Sequence, residues 1–227
     1  MTGILFDLDG TLLDTLDDLA DSVNHVLHQF GYPQRTREEV RRFVGNGAGR
    51  LIAQAVPAGA DVEAVLAAFQ TYYGTHCRIK TRPYHGIPEV LVQLAQKYPV
   101  AIVSNKPDGA VKTLCADLFP GIYALGESTA CPRKPAPDMV FRAMEAIGAE
   151  TCVYVGDSEV DVMTAKNAGV PCVSVLWGFR DRNEIEAVGG NNFCEKPADL
   201  LRSIAHIVGG GVLDAPNGNM KGTSNGQ

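Results

Sequence analysis

The chain has 227 residues, 45% hydrophobic and 20% charged, which is enough for a sizeable core in one domain with an insertion or in two small domains. Its formal net charge of -6 leaves no electrostatic footprint for nucleic acid or an anionic membrane surface, so an anionic substrate would need a local cluster of cations. No apolar run approaches the ~20 residues of a membrane span, and no basic segment followed by an apolar stretch opens the chain, so no membrane anchor or signal peptide is expected.

The first element is a short apolar run, Ile4-Leu5-Phe6, which reads as a buried strand. Asp7-Leu8-Asp9-Gly10-Thr11 ends it. Burying an unpaired carboxylate costs several kcal/mol or shifts its pKa. Two carboxylates one residue apart at a strand's end therefore require a cation, a proton or a chemical task. They suit Mg²⁺ and phosphoryl transfer. An EF-hand calcium loop is excluded, because Leu12 and Asp18 stand where that loop needs glycine and glutamate.

The period then becomes helical. Leu16, Leu19, Ala20, Val23, Leu27 and Phe30 share one face, and Asp14, Asp17, Asp18 and Asp21 form a solvated acidic face near the helix start. A second helix is expected over 37–44 and a third over 61–77. Between them Gly45-Asn46-Gly47-Ala48-Gly49 reads as a flexible joint before Arg50. It is no Walker loop, since no Gly-Lys-Ser/Thr follows, and no dinucleotide fingerprint, since no strand precedes it. A plain interhelical turn and a loop reaching over a ligand both remain open.

From Arg82-Pro83-Tyr84-His85-Gly86 onward, helical and short apolar segments alternate. Strands are expected at 100–103, 122–125, 152–155 and 170–176, with a last short one from Phe193. Helices are expected over 87–97, 107–118, 137–147, 158–168 and 197–208. This alternation predicts an α/β fold: a Rossmann-like parallel sheet with helices on both faces. The all-helical stretch 15–82 is then an insertion into a discontinuous core of 1–14 and 83–208. Residues 209–227, rich in Gly, Asn and Ser, are expected to be a disordered tail.

The six cysteines, Cys77, Cys115, Cys131, Cys152, Cys172 and Cys194, include no C-x-x-C pair, which excludes a zinc site and suits buried free thiols in a reducing cytoplasm.

Ligands of open parallel sheets bind beyond the carboxyl ends of the strands. There the chain carries Asp7 and Asp9, then Ser104-Asn105-Lys106, then Gly156-Asp157-Ser158 with Asp161 one turn on. Arg133-Lys134-Pro135 precedes the helix at Pro137. Each piece alone is an ordinary turn, cap or rigid loop. Together they gather carboxylates, small polar groups and a lysine at one edge.

Asp7-Leu8-Asp9-Gly10-Thr11, Ser104-Asn105, Lys134-Pro135 and Gly156-Asp157-Ser158-x-x-Asp161 resemble the four motifs of the haloacid dehalogenase superfamily. The helical insertion resembles its helical cap. Val44-Gly45-Asn46-Gly47, Asn105-Lys106-Pro107 and Lys134-Pro135-x-Pro137 are similar to the bacterial phosphoglycolate phosphatase subfamily and its close relatives.

The resemblance implies a phosphatase with an aspartyl-phosphate intermediate. Asp7 would be the nucleophile and Asp9 the general acid and base. Mg²⁺ would be held by Asp7, the backbone carbonyl of Asp9 and Asp157, with Asp161 as an outer, water-bridged partner. Ser104, Lys134 and Asn105, helped by backbone N–H groups near Gly10 and Thr11, would hold the phosphoryl oxygens. Gly45, Arg50 and Lys106 are the candidates for substrate choice, Arg50 as a possible partner of a substrate carboxylate or as a solvated surface residue. Trp177-Gly178-Phe179 would line the cleft or pack as an aromatic pair.

Carbon–halogen-cleaving relatives lack the second aspartate, and phosphonate-cleaving relatives use a cap lysine that the 14–30 segment does not contain. The expected partner is a small phosphorylated metabolite, and the expected state a monomer or homodimer. Rival readings are a phosphatase of a sugar phosphate, nucleotide or pyrophosphate, a β-phosphoglucomutase-like mutase, and a binding module on an inactive scaffold.

Overall fold

The computed structural model describes residues 1–209. The expected disorder of 209–227 falls outside these residues except for Gly209, which closes the last helix by donating its N–H to Ala205 O.

A six-stranded parallel sheet forms the centre, in the order β5-β4-β1-β6-β7-β8. Its strands are β1 (Thr2–Phe6), β4 (Val100–Pro107), β5 (Tyr123–Glu127), β6 (Thr151–Gly156), β7 (Cys172–Val175) and β8 (Phe193–Cys194). A separate two-stranded ribbon pairs β2 (Leu13–Asp14) antiparallel with β3 (Arg82–Pro83). β1 is central, so both of its faces are covered: Ile4, Phe6 and Leu8 enter one apolar cluster while Leu5 enters the other. The first face is packed by α5 (Ile87–Ala95), α6 (Asp108–Leu118) and α10 (Leu200–Val208) through Leu91, Leu114 and Ile204. The second is packed by α7 (Asp138–Ala146) and α8 (Glu159–Ala168) through Val140 and Ala165.

Register fixes the working edge. Phe6 lies level with Ile102 of β4 and Val155 of β6. The residues just beyond these three, Asp7, Ser104 and Asp157, therefore leave the sheet side by side.

Four helices run between β2 and β3: α1 (Leu16–Gln29), α2 (Arg37–Phe43), α3 (Gly47–Ala55) and α4 (Val62–His76). α1 and α4 bury Leu19, Val23, Val26 and Leu27 with Val65, Phe69 and Tyr73. α2 begins with a reciprocal cap: the Glu39 N–H donates to Thr36 Oγ1, and the Thr36 N–H donates to Glu39 Oε2.

Three expectations need correction. The glycine stretch is no simple joint, because α3 starts inside it at Gly47. Gly49, inside the helix, costs about 1 kcal/mol against alanine. Burial of Leu51, Ile52 and Ala55 offsets this. Gly47 has φ +81°, and a side chain there would press on Glu127 Oε2 at 2.9 Å, so glycine lets this turn lie close to the sheet. The second correction concerns β4, which does not stop at Val103 but carries Ser104, Asn105 and Lys106 within the strand. The third is Asp18, which is buried rather than solvated. Its carboxylate accepts the N–H groups of Lys80 at 2.9 and 3.0 Å and of Thr81 at 2.8 Å, tying α1 to the chain that returns toward β3. A further helix, α9 (Arg182–Ala187), had no counterpart in the sequence reading.

Asp18→Ala strands two backbone donors in a dry site and should lower stability by about 2–4 kcal/mol. Asp17→Ala removes only an exposed pair with Arg37 and should change stability by less than ~0.5 kcal/mol. Urea midpoints of the two variants against the parent check both.

Candidate active site

Two charged groups leave the end of β1, and each meets a buried lysine. Lys134, in the loop before α7, places Nζ 2.8 Å from Asp7 Oδ1 and 2.8 Å from Asp161 Oδ1. Tyr154 of β6 closes that contact from below, its hydroxyl 3.1 Å from the same Nζ. Burial opposes a charge on Lys134, but Asp161 and Asp7 outweigh it and hold the ammonium well above its ordinary range. Lys106 at the end of β4 places Nζ 2.8 Å from Asp9 Oδ1 and 2.5 Å from the Tyr73 hydroxyl of α4. Burial again opposes the charge, and Asp9 and Tyr73 raise the pKa.

Asp157, beyond β6, is held by two donors. Thr11 Oγ1 donates to its Oδ1 at 3.0 Å, and the Phe179 N–H to its Oδ2 at 2.7 Å. Burial nevertheless pushes Asp157 up to about 7, helped by the neighbouring charge of Asp161. Burial also raises Asp7, with Lys134 opposing and Asp161 and Asp157 adding to the rise.

Oxygens of Asp7, Asp157 and Asp161 lie within 4.8 Å of one another. Three carboxylates around one ammonium leave an uncompensated buried negative charge, and an all-oxygen donor set fits a hard divalent cation. Asp161 is the least available of the three. Its Oδ1 takes Lys134, and its Oδ2 takes both the N–H and the hydroxyl of Ser158. Asp7 and Asp157 are the groups that could hold a metal directly.

A cavity of ≈ 50 Å³ opens beside Asp7. Asp7, Asp9, Ser104, Asn105, Lys106 and Lys134 line the sheet side. Leu19, Val44, Gly45, Gly47, Leu51, Phe69 and Tyr73 face them from the helical unit. The structure thus brings most of the sequence-selected residues together, but changes several roles. Arg50 is not among the lining residues and is exposed, because α3 turns Ala48 and Leu51 inward and Arg50 to the other face. The Gly10 N–H is taken by Leu13 O at 2.9 Å and so is not offered to a phosphate, while the Thr11 hydroxyl donates to Asp157 and helps shape the acidic site. The Asn105 side chain is fully occupied by backbone. Its Nδ2 donates to Gly45 O at 3.1 Å and Lys134 O at 3.0 Å, and its Oδ1 accepts the Lys134 N–H at 2.8 Å. Trp177 does not line the cavity, and its Nε1 donates to Thr11 O at 3.0 Å.

Sequence reasoning missed Tyr73 and the apolar wall of Leu19, Leu51 and Phe69. Helical periodicity put Leu19 on the apolar face of the first helix, and nothing local separates a core wall from a cavity wall.

Asp157 gives a pH test of the acidic cluster. A carboxyl raised from near 4 to about 7 binds a proton in the folded state that the unfolded chain releases, so its contribution to stability is full below about pH 4 and is lost as pH rises through about 7. A divalent cation competes for the same oxygens. Added Mg²⁺ should therefore raise Tm more at pH 8 than at pH 5, as read by scanning calorimetry.

Residues 4–175 match the family model described as haloacid dehalogenase-like hydrolase. The phosphoglycolate phosphatase of Pseudomonas fluorescens strain Pf0-1 is 36% identical over 190 residues, 78% of this chain and 70% of that protein. The phosphoglycolate phosphatase of Pseudomonas syringae pv. tomato is 34% identical over 228 residues, 93% of this chain and 80% of that protein. A crystal structure of a phosphoglycolate phosphatase candidate from Lactobacillus delbrueckii subsp. bulgaricus superposes with a TM-score of 0.84 at 34% identity, covering 89% of this chain and 98% of that one. With the acidic cluster at the end of its central strand, this chain belongs to the haloacid dehalogenase-like hydrolase family and is one of its phosphatases.

Proposed function

We propose that the protein is a Mg²⁺-dependent phosphatase that hydrolyses a small phosphorylated metabolite through an aspartyl-phosphate on Asp7, with phosphoglycolate as the leading substrate. The observation that carries this reading is the cavity in which Asp7, Asp9, Ser104 and Lys134 meet. Asp7 attacks phosphorus and displaces the alcohol. Asp9 gives that alcohol a proton and later takes one from the water that cleaves the acyl phosphate. Lys106, 2.8 Å away, keeps the Asp9 carboxylate aimed into the cavity. Lys134 and the Ser104 hydroxyl hold non-bridging phosphoryl oxygens. The 2.8 Å contact between Lys134 and Asp7 supports this, because the ammonium already stands where a phosphoryl group bound to Asp7 would put negative charge. Asp7, the Asp9 carbonyl and Asp157 would hold Mg²⁺, which would supply the charge neutralisation a carboxylate needs to approach a phosphate dianion. Asp161 serves as its outer partner and as the counter-charge of Lys134.

In this reading 15–82 is a cap on a core formed by 1–14 and 83–208, and the β2–β3 ribbon is the two-stranded neck between them. The cap walls are apolar and offer few polar partners for a base or ribose, which favours a leaving group of glycolate size over a nucleotide. Lys106 is the one cation on the leaving-group side of the lining and suits a carboxylate there. Six free cysteines, five of them buried, suit a reducing, cytoplasmic setting, and among the described residues no helix is long and apolar enough to cross a membrane.

Phosphate release from p-nitrophenyl phosphate should require Mg²⁺ and stop on chelation. Asp7→Asn should lose ~10³-fold or more of kcat while keeping the parent's circular dichroism. Full activity in that variant would remove the nucleophile from the scheme. Across a panel of esters, kcat/KM for phosphoglycolate should exceed that for nucleoside monophosphates by about tenfold or more. A flat profile would overturn the choice of a small leaving group, and conversion of β-glucose 1-phosphate to glucose 6-phosphate without net phosphate release would make the protein a mutase.

A further inference from the structure

Arg180 is the one buried arginine among the described residues, and no step above uses it. It stands in the loop between β7 and α9. Its Nε donates to Glu159 Oε2 at 3.0 Å, at the start of α8. The other guanidinium nitrogens cross to the helical unit. One donates to Arg41 O at 3.1 Å, and the other to Arg42 O at 3.3 Å and Val44 O at 2.6 Å. These carbonyls end α2, where a helix runs out of internal donors and carries its negative dipole end. Arg180 therefore caps a helix more than 130 residues earlier in the chain, with a planar fork suited to several acceptors at once.

The capped end leads directly into the cavity wall. Val44, Gly45 and Gly47 line the cavity, and Gly45 O is gripped from the opposite side by Asn105. The wall segment thus hangs between two polar anchors, both rooted in the sheet. The loop that carries Arg180 also holds the acidic site, since its Phe179 N–H donates to Asp157 and its Trp177 ring to Thr11 O. The nearby Arg41–Asp181 pair at 3.2 Å is exposed on the aspartate side and adds little.

We infer that Arg180 is a positioning residue for substrate choice: by fastening the end of α2 to the sheet, it sets where the Val44–Gly47 wall stands against the leaving group. The inference takes the cavity to be the substrate site, as proposed above. Its chemistry requires no contact between Arg180 and substrate, and the guanidinium is already satisfied by one carboxylate and three carbonyls. What it controls is distance. A wall displaced by about 1 Å can cost up to ~10²-fold in a well-fitted site, so the effect should depend on the leaving group. A glycolate-sized group relies on the wall closing behind it, whereas p-nitrophenol is held by its own large apolar surface.

Arg180→Met keeps the aliphatic stem and removes the fork, and Arg180→Lys keeps one charge. Hydrogen exchange at the amides of residues 43–48 should quicken about tenfold or more in the methionine variant and less in the lysine variant, with the β6 amides unchanged. The ratio of kcat/KM for phosphoglycolate to that for p-nitrophenyl phosphate should fall about tenfold, with most of the change in KM for phosphoglycolate. Unchanged exchange at 43–48 in a folded variant would overturn the inference. So would faster exchange with an unchanged ratio, which would make Arg180 a purely structural strap. If Arg180→Met does not fold, Arg180→Lys decides by the same two measurements. If the parent hydrolyses neither ester, the substrate reading fails, while the exchange arm still tests whether Arg180 holds the wall.

Discussion

The structure is organised around buried negative charge at the end of its central strand. Asp7, Asp157 and Asp161 stand within 4.8 Å of one another, with Lys134 as their shared ammonium. A charge taken out of water without partners costs several kcal/mol, far more than most single contacts return. The surrounding chain is arranged to satisfy these oxygens. Thr11 and the Phe179 N–H serve Asp157, while Ser158 and Tyr154 serve Asp161. Donors come from the turn after β1, the Lys134 loop, the start of α8 and the loop after β7, so four separate chain segments converge on one small acidic site. The remaining imbalance, seen in the raised Asp7 and Asp157, is what a cation and a phosphoryl group would resolve.

A second charged node lies a few residues away and joins the two structural units. Lys106 belongs to β4, Asp9 to the turn after β1, and Tyr73 to α4 of the helical unit. Lys106 therefore cannot be described as a specificity residue alone, since it also fixes the side chain cast as acid and base. Asn105, next in the strand, holds the Lys134 loop and Gly45 by their backbones. Adjacent residues of one strand thus serve separate tasks, at a strand end where the ladder to β5 shifts register between Val103 and Pro107.

The residues at strand ends were readable because their chemistry conflicts with their surroundings: Asp7 and Asp157 are charged groups that follow apolar runs. The sheet was readable because four-residue apolar runs alternated with helical periods. Asp18 was misplaced because an acid in the first turn of a helix looks the same whether it faces water or the backbone of Thr81. Arg50 stayed open between a substrate partner and a solvated surface residue, and the structure gives the second, because its direction depends on where α3 begins and the glycines there disguised the helix. Gly10 sits beside the right residues but directs its N–H to Leu13 O, and the Thr11 hydroxyl turns to Asp157.

By itself, the amino-acid sequence determined the α/β alternation, the insertion of a helical stretch after the first strand, and the carboxylates and lysine that reach one sheet edge. These are consequences of short-range pattern and of the rule that parallel strands share a carboxyl-end rim. Only the tertiary structure decided which donors face the cavity and which face another oxygen. Lys106 turning to Asp9 and Tyr73, and Arg180 capping α2, are pairings between segments up to 139 residues apart. Such pairings follow from packing and from the need to satisfy every buried polar group, and a single chain's local pattern carries neither.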